Sequence, residues 1–370
     1  MTSSEMTAMT TPAFNFNSSN YTTNGSSCDN KNGQVLAYPF FIFGYALVFL
    51  ISLVLNGFTL KVYFFRSQRN NTTVTIYLQN LVISDLFLSL CLPLRVANYV
   101  VETPAMRQIY CSFGASAFYL NMYASIIFMD YIAANRYLKI VRPLETNILQ
   151  TPRAARIISI VTWTFLGGTA LLYMVISLIS SRENVKFARY SVGCESLHSQ
   201  RVSQLYKAVH TVSAAIFFFV LVSLVFLYHG TTRRLRQAQK SQQSESGCRK
   251  LAKSKRNMLI LVSMFCVCFV PYHLVRLPYA FLKQKLTCFT WAHAFFTLKE
   301  ATVLLSVCNA CLDPFIYFIF CKAFRAQLGL RKEPQGPSSS VTEVRRLSMK
   351  RGSLKPLNAA TIIQAMQPNK

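Results

Sequence analysis

Several basic side chains and a group of aromatic ones are spaced so that together they would seize an anion. His273, Arg276 and Tyr279 follow i, i+3, i+6 spacing, close to one face of a helix. Arg276 falls near the outer end of its apolar segment and Lys299 near that of the next. Arg95 and Arg107 add charge from the second segment and the first outer loop, and Lys283 adds more. Arg grips a phosphate through two parallel N–H donors, Lys through a point charge. A cationic funnel above an aromatic floor suits a ligand with phosphate at one end and a flat or apolar body at the other. The competing reading has these cations meeting lipid headgroups.

A second set lies deeper. Asp85 and Asp313 fall inside apolar segments, where an ionisable group is expensive and therefore marks function by default. Asn56, Ser125 and Asn309 reach a similar depth. Two readings stay open for the five: an oxygen cage for Na⁺, or a hydrogen-bonded knot that fixes packing. Either places the cluster at a hinge beside Pro314. A third feature is Asn135-Arg136-Tyr137, at the inner end of a long apolar run. Arg136 there is either a snorkelling cation or part of a switch.

The elements that must hold these groups are membrane helices. Of 370 residues 52% are hydrophobic and 14% charged, and the mean hydropathy is +0.31. Apolar stretches of about 20 residues or more recur seven times, each long enough to cross a bilayer. The expected spans are about Val35 to Phe65, Thr75 to Val100, Arg107 to Val141, Arg153 to Ile179, Val202 to Tyr228, Asn257 to Leu282 and Trp291 to Phe320. Pro93 should kink the second, Pro271 should break the sixth, and Pro314 lies near the inner end of the seventh. The fold class is therefore all-α, a seven-transmembrane helix bundle. The formal charge of +26 sits between alternate spans and in the C-terminal tail. That distribution excludes a nucleic-acid face and orients the C-terminus to the cytosol.

Residues 1–33 form a polar outer tail with glycosylation sequons at Asn17, Asn20 and Asn24 and no cleavable signal peptide. The seven-span bundle covers 34–321. Residues 322–330 predict a short amphipathic eighth helix on the inner leaflet, and 331–370 a basic, disordered tail. Thr231 to Arg256 is expected to be a basic cytosolic loop. Of eleven Cys, Cys28, Cys111, Cys194 and Cys288 fall in outer segments, where disulfides persist.

In chain order Asn56, Ser84-Asp85, Asn135-Arg136-Tyr137, Trp163, Cys268-Phe269-Val270-Pro271 and Asp313-Pro314-Phe315-Ile316-Tyr317 stand in register with the spans. With them the chain resembles the rhodopsin-like G-protein-coupled receptors along nearly all its apolar length. The resemblance implies a disulfide between Cys111 and Cys194. It implies that Arg136, Tyr228 and Tyr317 converge when the sixth helix swings about Pro271, opening a cavity for a G-protein α-subunit helix. Asn135 stands where the family usually has Asp, which weakens the lock on Arg136 and raises basal activity. Asp313 replaces the usual Asn.

The run Phe269 to Tyr279, with Lys299-Glu300-Ala301-Thr302 and Asn309 to Pro314, is similar to purinergic nucleotide receptors of the platelet ADP-receptor branch. Tyr119 and Asn121-Met122-Tyr123 resemble its third helix, adding Tyr119 and Tyr123 to the ligand site. Cys28 and Cys288 match its second disulfide. Gly193, Tyr206 and His210 depart from the ADP-type pattern, so a nucleotide, a nucleotide sugar and a lysophospholipid all suit the charge pattern. The branch implies a Gi-class heterotrimeric G protein as partner, with arrestin and receptor kinases as further family partners. No cofactor is expected. A transporter would need an inverted or parallel repeat, and none is found. An enzyme would need a nucleophile–base set or a metal cluster, and His210 and His273 have no such spacing to Asp or Cys.

Overall fold

The computed structural model describes residues 32–63, 72–101, 103–141, 148–181, 194, 200–241, 245–282 and 289–320. All its regular elements among these are helical. Seven helical stretches are long and apolar enough to span a bilayer: Pro39–Lys61, Thr73–Val100, Pro104–Val141, Pro152–Ile179, Val202–Lys240, Leu251–Leu282 and Ala294–Phe320. The amphipathic helix expected over 322–330, residues 1–31 of the N-terminal tail, the C-terminal tail, the three sequons, Lys283 and the Cys28–Cys288 pair lie outside the described residues.

Helix starts follow capping chemistry. The Thr72 side chain accepts from the Thr75 N–H at 3.3 Å, and that of Thr103 from the Met106 N–H at 3.3 Å with Pro104 in the first turn. Thr151 does the same for Ala154 at 3.2 Å, ahead of Pro152. The third span is central, with 67% of its most apolar stretch buried in protein, against 17% for the fourth. The side chains the fourth span turns outward, such as Ile157, Ile160 and Leu171, face lipid. Trp163 donates to Asn80 at 2.9 Å, and Asn80 to Ser159 at 3.2 Å, pinning the fourth span to the second.

Two expectations are corrected. The stretch 231–256 is not a loop over most of its length: the fifth helix continues to Ser241 and the sixth begins at Glu245. Its Arg, Lys, Gln and Ala residues are strong helix formers, which polarity concealed. The sixth helix runs unbroken through Pro271 and Pro278. The seventh span has a one-residue irregularity at Cys308, between helices Phe289–Val307 and Asn309–Phe320, across which i+4 bonds continue, from the Cys308 N–H to the Leu304 carbonyl at 3.1 Å and from the Leu312 N–H to the Cys308 carbonyl at 3.2 Å. There a tight i+3 bond forms from the Cys311 N–H to the Cys308 carbonyl at 3.0 Å.

The third span also opens irregularly. A helical turn Pro104–Ile109 leads into a π-helical segment, Tyr110–Gly114, before the regular helix Ala115–Val141. A Cβ on Gly114 would meet the Tyr110 ring at 2.9 Å. The bulge holds Cys111 in a disulfide with Cys194, with Cα atoms 5.3 Å apart. This "bridged end" of the bundle and the opposite "Arg136 end" serve as landmarks below.

Candidate functional site

At the bridged end a cavity of about 280 Å³ opens among the second to seventh spans. Arg276 projects into it from the sixth helix, 7% exposed. Its guanidinium sits 5.5 Å from the centre of the Tyr119 ring, 5.4 Å from Tyr206 and 5.9 Å from Tyr279. One Nη hydrogen-bonds His210 Nε2 at 3.1 Å. Among the described residues no carboxylate pairs with it, and its Nε has no hydrogen-bond partner. A buried cation held only by ring faces and an imidazole is incompletely compensated.

The neighbouring cations are in a different condition. Arg95 donates to the Glu300 carboxylate at 2.5 Å, and Lys299 Nζ lies 2.6 Å from the other oxygen of that group. The Tyr99 hydroxyl donates to Glu300 at 2.6 Å and that of Tyr45 at 3.3 Å. Arg95 also donates to the Tyr110 hydroxyl at 2.8 Å and packs over the rings of Tyr45 and Phe118. One acid therefore balances two bases in a box of aromatic rings, joining the first, second and seventh spans. Lys299 keeps one side toward the cavity, its ammonium 4.2 Å from the Phe296 ring centre and 5.0 Å from that of Tyr279.

Of the ligand residues expected from sequence, Arg95, Tyr119, Tyr123, Arg276 and Lys299 line the cavity together. His273 and Tyr279 are buried behind its wall. His273 stacks on Phe217 at 3.7 Å between ring centres and bonds the Tyr123 hydroxyl at 2.9 Å. Tyr279 packs between the two cations. Arg107 lies half-buried in the Pro104–Ile109 turn, outside the lining. Glu300 was the residue to find: it stands in an apolar span, where the cost that singled out Asp85 applies equally. The same reasoning reaches Asp130, which accepts from Ser223 at 2.9 Å across the third and fifth spans.

Deeper in the bundle the polar set does come together. Tyr317 donates to Asp85 at 2.7 Å, and Ser125 donates to it at 3.1 Å and also pairs with Ser84 at 2.9 Å. Asn309 donates to Asp313 at 2.9 Å. Pro314 has no N–H, which frees the Ala310 carbonyl four residues back. Asn56 fills that vacancy from the first span, donating at 2.8 Å.

At the Arg136 end, Arg136 donates to the Phe320 carbonyl at 3.2 Å, with its guanidinium 4.5 Å from that ring's centre. Asn135 is 3% exposed, and neither atom of its amide has a hydrogen-bond partner among the described residues. Tyr317 is engaged with Asp85, and Tyr228 is half-buried against the core. Tyr137 packs where a Cβ on Gly230 would meet its ring at 2.6 Å.

Comparison with known proteins matches residues 55–317 to the 7 transmembrane receptor (rhodopsin family). Purinoceptor 14 of Bos taurus is 33% identical over 288 residues, covering 77% of this chain and 82% of its own. G-protein coupled receptor 87 of Mus musculus is 31% identical over 300 residues, covering 80% and 81%. Purinoceptor 13 of Homo sapiens is 30% identical over 288 residues, covering 77% and 78%.

Proposed function

Because the chain belongs to the rhodopsin family of seven-transmembrane receptors, we propose that it binds an extracellular phosphate-bearing ligand and signals through Gi-type G proteins. The bridged end faces outside and the Arg136 end faces the cytosol. That orientation rests on the basic residues Arg233, Arg234, Arg236, Lys253, Lys255 and Arg256, which extend the fifth and sixth helices beyond the Arg136 end. Gi coupling rests on likeness to the purinergic branch, as does the engagement of arrestin and receptor kinases.

One observation carries the ligand reading: Arg276 is a buried cation in a cavity wall, without a carboxylate partner among the described residues. A phosphate oxygen would complete its hydrogen bonding and balance its charge. Lys299, shared with Glu300, would supply a second contact at the rim. The relatives named purinoceptors favour a nucleotide or nucleotide sugar. A lysophospholipid is the second reading, favoured by the apolar depth of the cavity on its fourth- and fifth-span side.

The test is a screen of nucleotides, nucleotide sugars and lysophospholipids for G-protein activation, repeated on Arg276→Ala and Lys299→Ala. A charge-assisted hydrogen bond is worth about 1.5–3 kcal/mol, so either variant should lose roughly ten- to hundredfold in potency at unchanged surface expression. Unchanged potency in both would remove the phosphate clamp.

A further inference from the structure

One buried acid faces the membrane and not the cavity. Asp130 stands on the third span, 8% exposed. Its Oδ1 accepts from the Ser223 hydroxyl of the fifth span at 2.9 Å. Its Oδ2 makes no hydrogen bond and no ion pair among the described residues. Nor is Oδ2 one of the fully enclosed atoms that lack a partner, a group to which oxygens of Asn121 and Asp313 belong. It therefore reaches the outside of the bundle. Asp130 lies six residues from Arg136, and Ser223 six from His229, about 9 Å at the helical rise. That depth is inside a hydrocarbon layer about 30 Å thick.

Neither protonation state satisfies this carboxyl. Ionised, Oδ2 lacks a donor; protonated, its hydroxyl lacks an acceptor. The nearest cation along its own helix, Arg136, is held by the Phe320 carbonyl and ring. An acid at this depth is costly without a partner, and the surroundings favour one kind. Asp130, Ala134 and Tyr137 follow i, i+4, i+7 spacing on one face of the third span. Ala134 and Tyr137 are half-buried, where Met129, Ile132 and Ala133 are fully buried. This stripe of the central span is the floor of a groove, and the small Ala134 leaves room beside the acid. Phe219, Ser223 and Phe226 form the matching face of the fifth span, with both rings exposed. Phe226 lies 6.1 Å from the Tyr137 ring. A carboxylate oxygen among aromatic rings suits an ammonium, which offers N–H donors to the oxygen and positive charge to the rings. The protruding Phe219 and Phe226 admit a cation on a thin chain more readily than a second helix, whose close approach needs small residues.

We propose that this groove is a second ligand site, on the membrane face of the third and fifth spans, and that it takes a long-chain primary amine from the surrounding leaflet. The ammonium donates to Asp130 Oδ2 while the Ser223 bond to Oδ1 stays in place. Tyr137 and Phe226 lie on its Arg136 side, and the chain runs past Phe219 toward the bilayer midplane. The site does not depend on the anion reading of Arg276.

The test is photolabelling of the full-length receptor in phosphatidylcholine nanodiscs, with hexadecylamine carrying a diazirine a few carbons from the nitrogen as probe. Phosphatidylcholine has no N–H and cannot stand in for it. On the parent protein, independent of variant folding, labelling should saturate and fall in peptides spanning residues 127–137 or 219–226. Asp130→Asn keeps the side chain's size and an acceptor for Ser223 but removes the charge. It should weaken the probe roughly tenfold or more, while Arg276→Ala leaves it unchanged. Unlabelled hexadecylamine should compete, and butylamine at the same aqueous concentration should not; equal competition overturns the leaflet as the source. Absence of saturable labelling of the parent overturns the site and points to a donor on a partner helix. Equal labelling of parent and Asp130→Asn, or equal labelling by the diazirine form of hexadecanol, marks an ordinary lipid-facing surface and overturns the proposal. Loss of labelling in Arg276→Ala places the amine in the cavity and overturns it as well.

Discussion

Replacing Glu300 by Gln tests the ion cluster at the bridged end most directly. Glu300 is the only carboxylate among the described residues paired with Arg95 and Lys299, and its side chain is 4% exposed. The variant keeps its volume and removes its charge. Arg95 is 5% exposed and is packed on the rings of Tyr45, Tyr110 and Phe118, which hold it beside Glu300 at the cavity wall. Both cations border the cavity. Removing one partner of a buried pair costs about 3–5 kcal/mol, whereas replacing the whole pair with apolar groups of similar volume is often neutral. Thermal unfolding of the purified receptor in nanodiscs, read with a thiol-reactive dye that reports exposure of buried Cys91 and Cys268, should show Glu300→Gln melting well below the parent. The double variant Arg95→Met/Glu300→Leu should recover most of that loss. The two sites should therefore couple by more than about 1 kcal/mol in a double-mutant cycle. A phosphate-bearing ligand should stabilise Glu300→Gln more than it stabilises the parent, since it restores the missing anion. An unchanged melting point for Glu300→Gln, or strict additivity in the cycle, would refute the view that Arg95 is held by Glu300 and is not available to ligand.

Two further predictions concern the Arg136 end. Asn135→Asp places a carboxylate next to Arg136 at a buried position whose amide now bonds to nothing among the described residues. Ligand-free G-protein activation should fall, and a rise or no change would count against the weakened-lock reading. The agonist response should disappear after pertussis toxin treatment, and a toxin-insensitive response would contradict Gi coupling.

The seven spans were legible because hydrocarbon length and missing charge act over whole segments. Asp85 and Asp313 were legible because a buried acid is costly wherever it falls. Pairing through space was not. Arg95 reads as a ligand cation until Glu300, 205 positions away, is brought against it. The acid itself sits beside Lys299 in the sequence, so the pair resembles a neutral surface doublet when read along the chain. The helical extensions 229–241 and 245–256 escaped notice because they carry no apolar period to betray them. The irregularity at Cys308 had only Pro314, six residues on, to announce it.

That irregularity lies between the two tethered parts of the seventh span. Glu300 and Lys299 belong to the helix before Cys308, and Asp313 and Tyr317 to the helix after it. The first half is tied to the first and second spans by the Glu300 cluster, the second half by Asn56 at the Ala310 carbonyl and by Tyr317 at Asp85. A continuous helix held at both places would resist rotation as one rod. Cys308 keeps i+4 bonds to Leu304 and from Leu312, so turning one half with respect to the other would have to break them. An anion that draws Lys299 away from Glu300 would loosen the first tether alone. The consequence would reach Arg136 through the second half, because Phe320, the residue whose carbonyl and ring hold Arg136, ends that same helix.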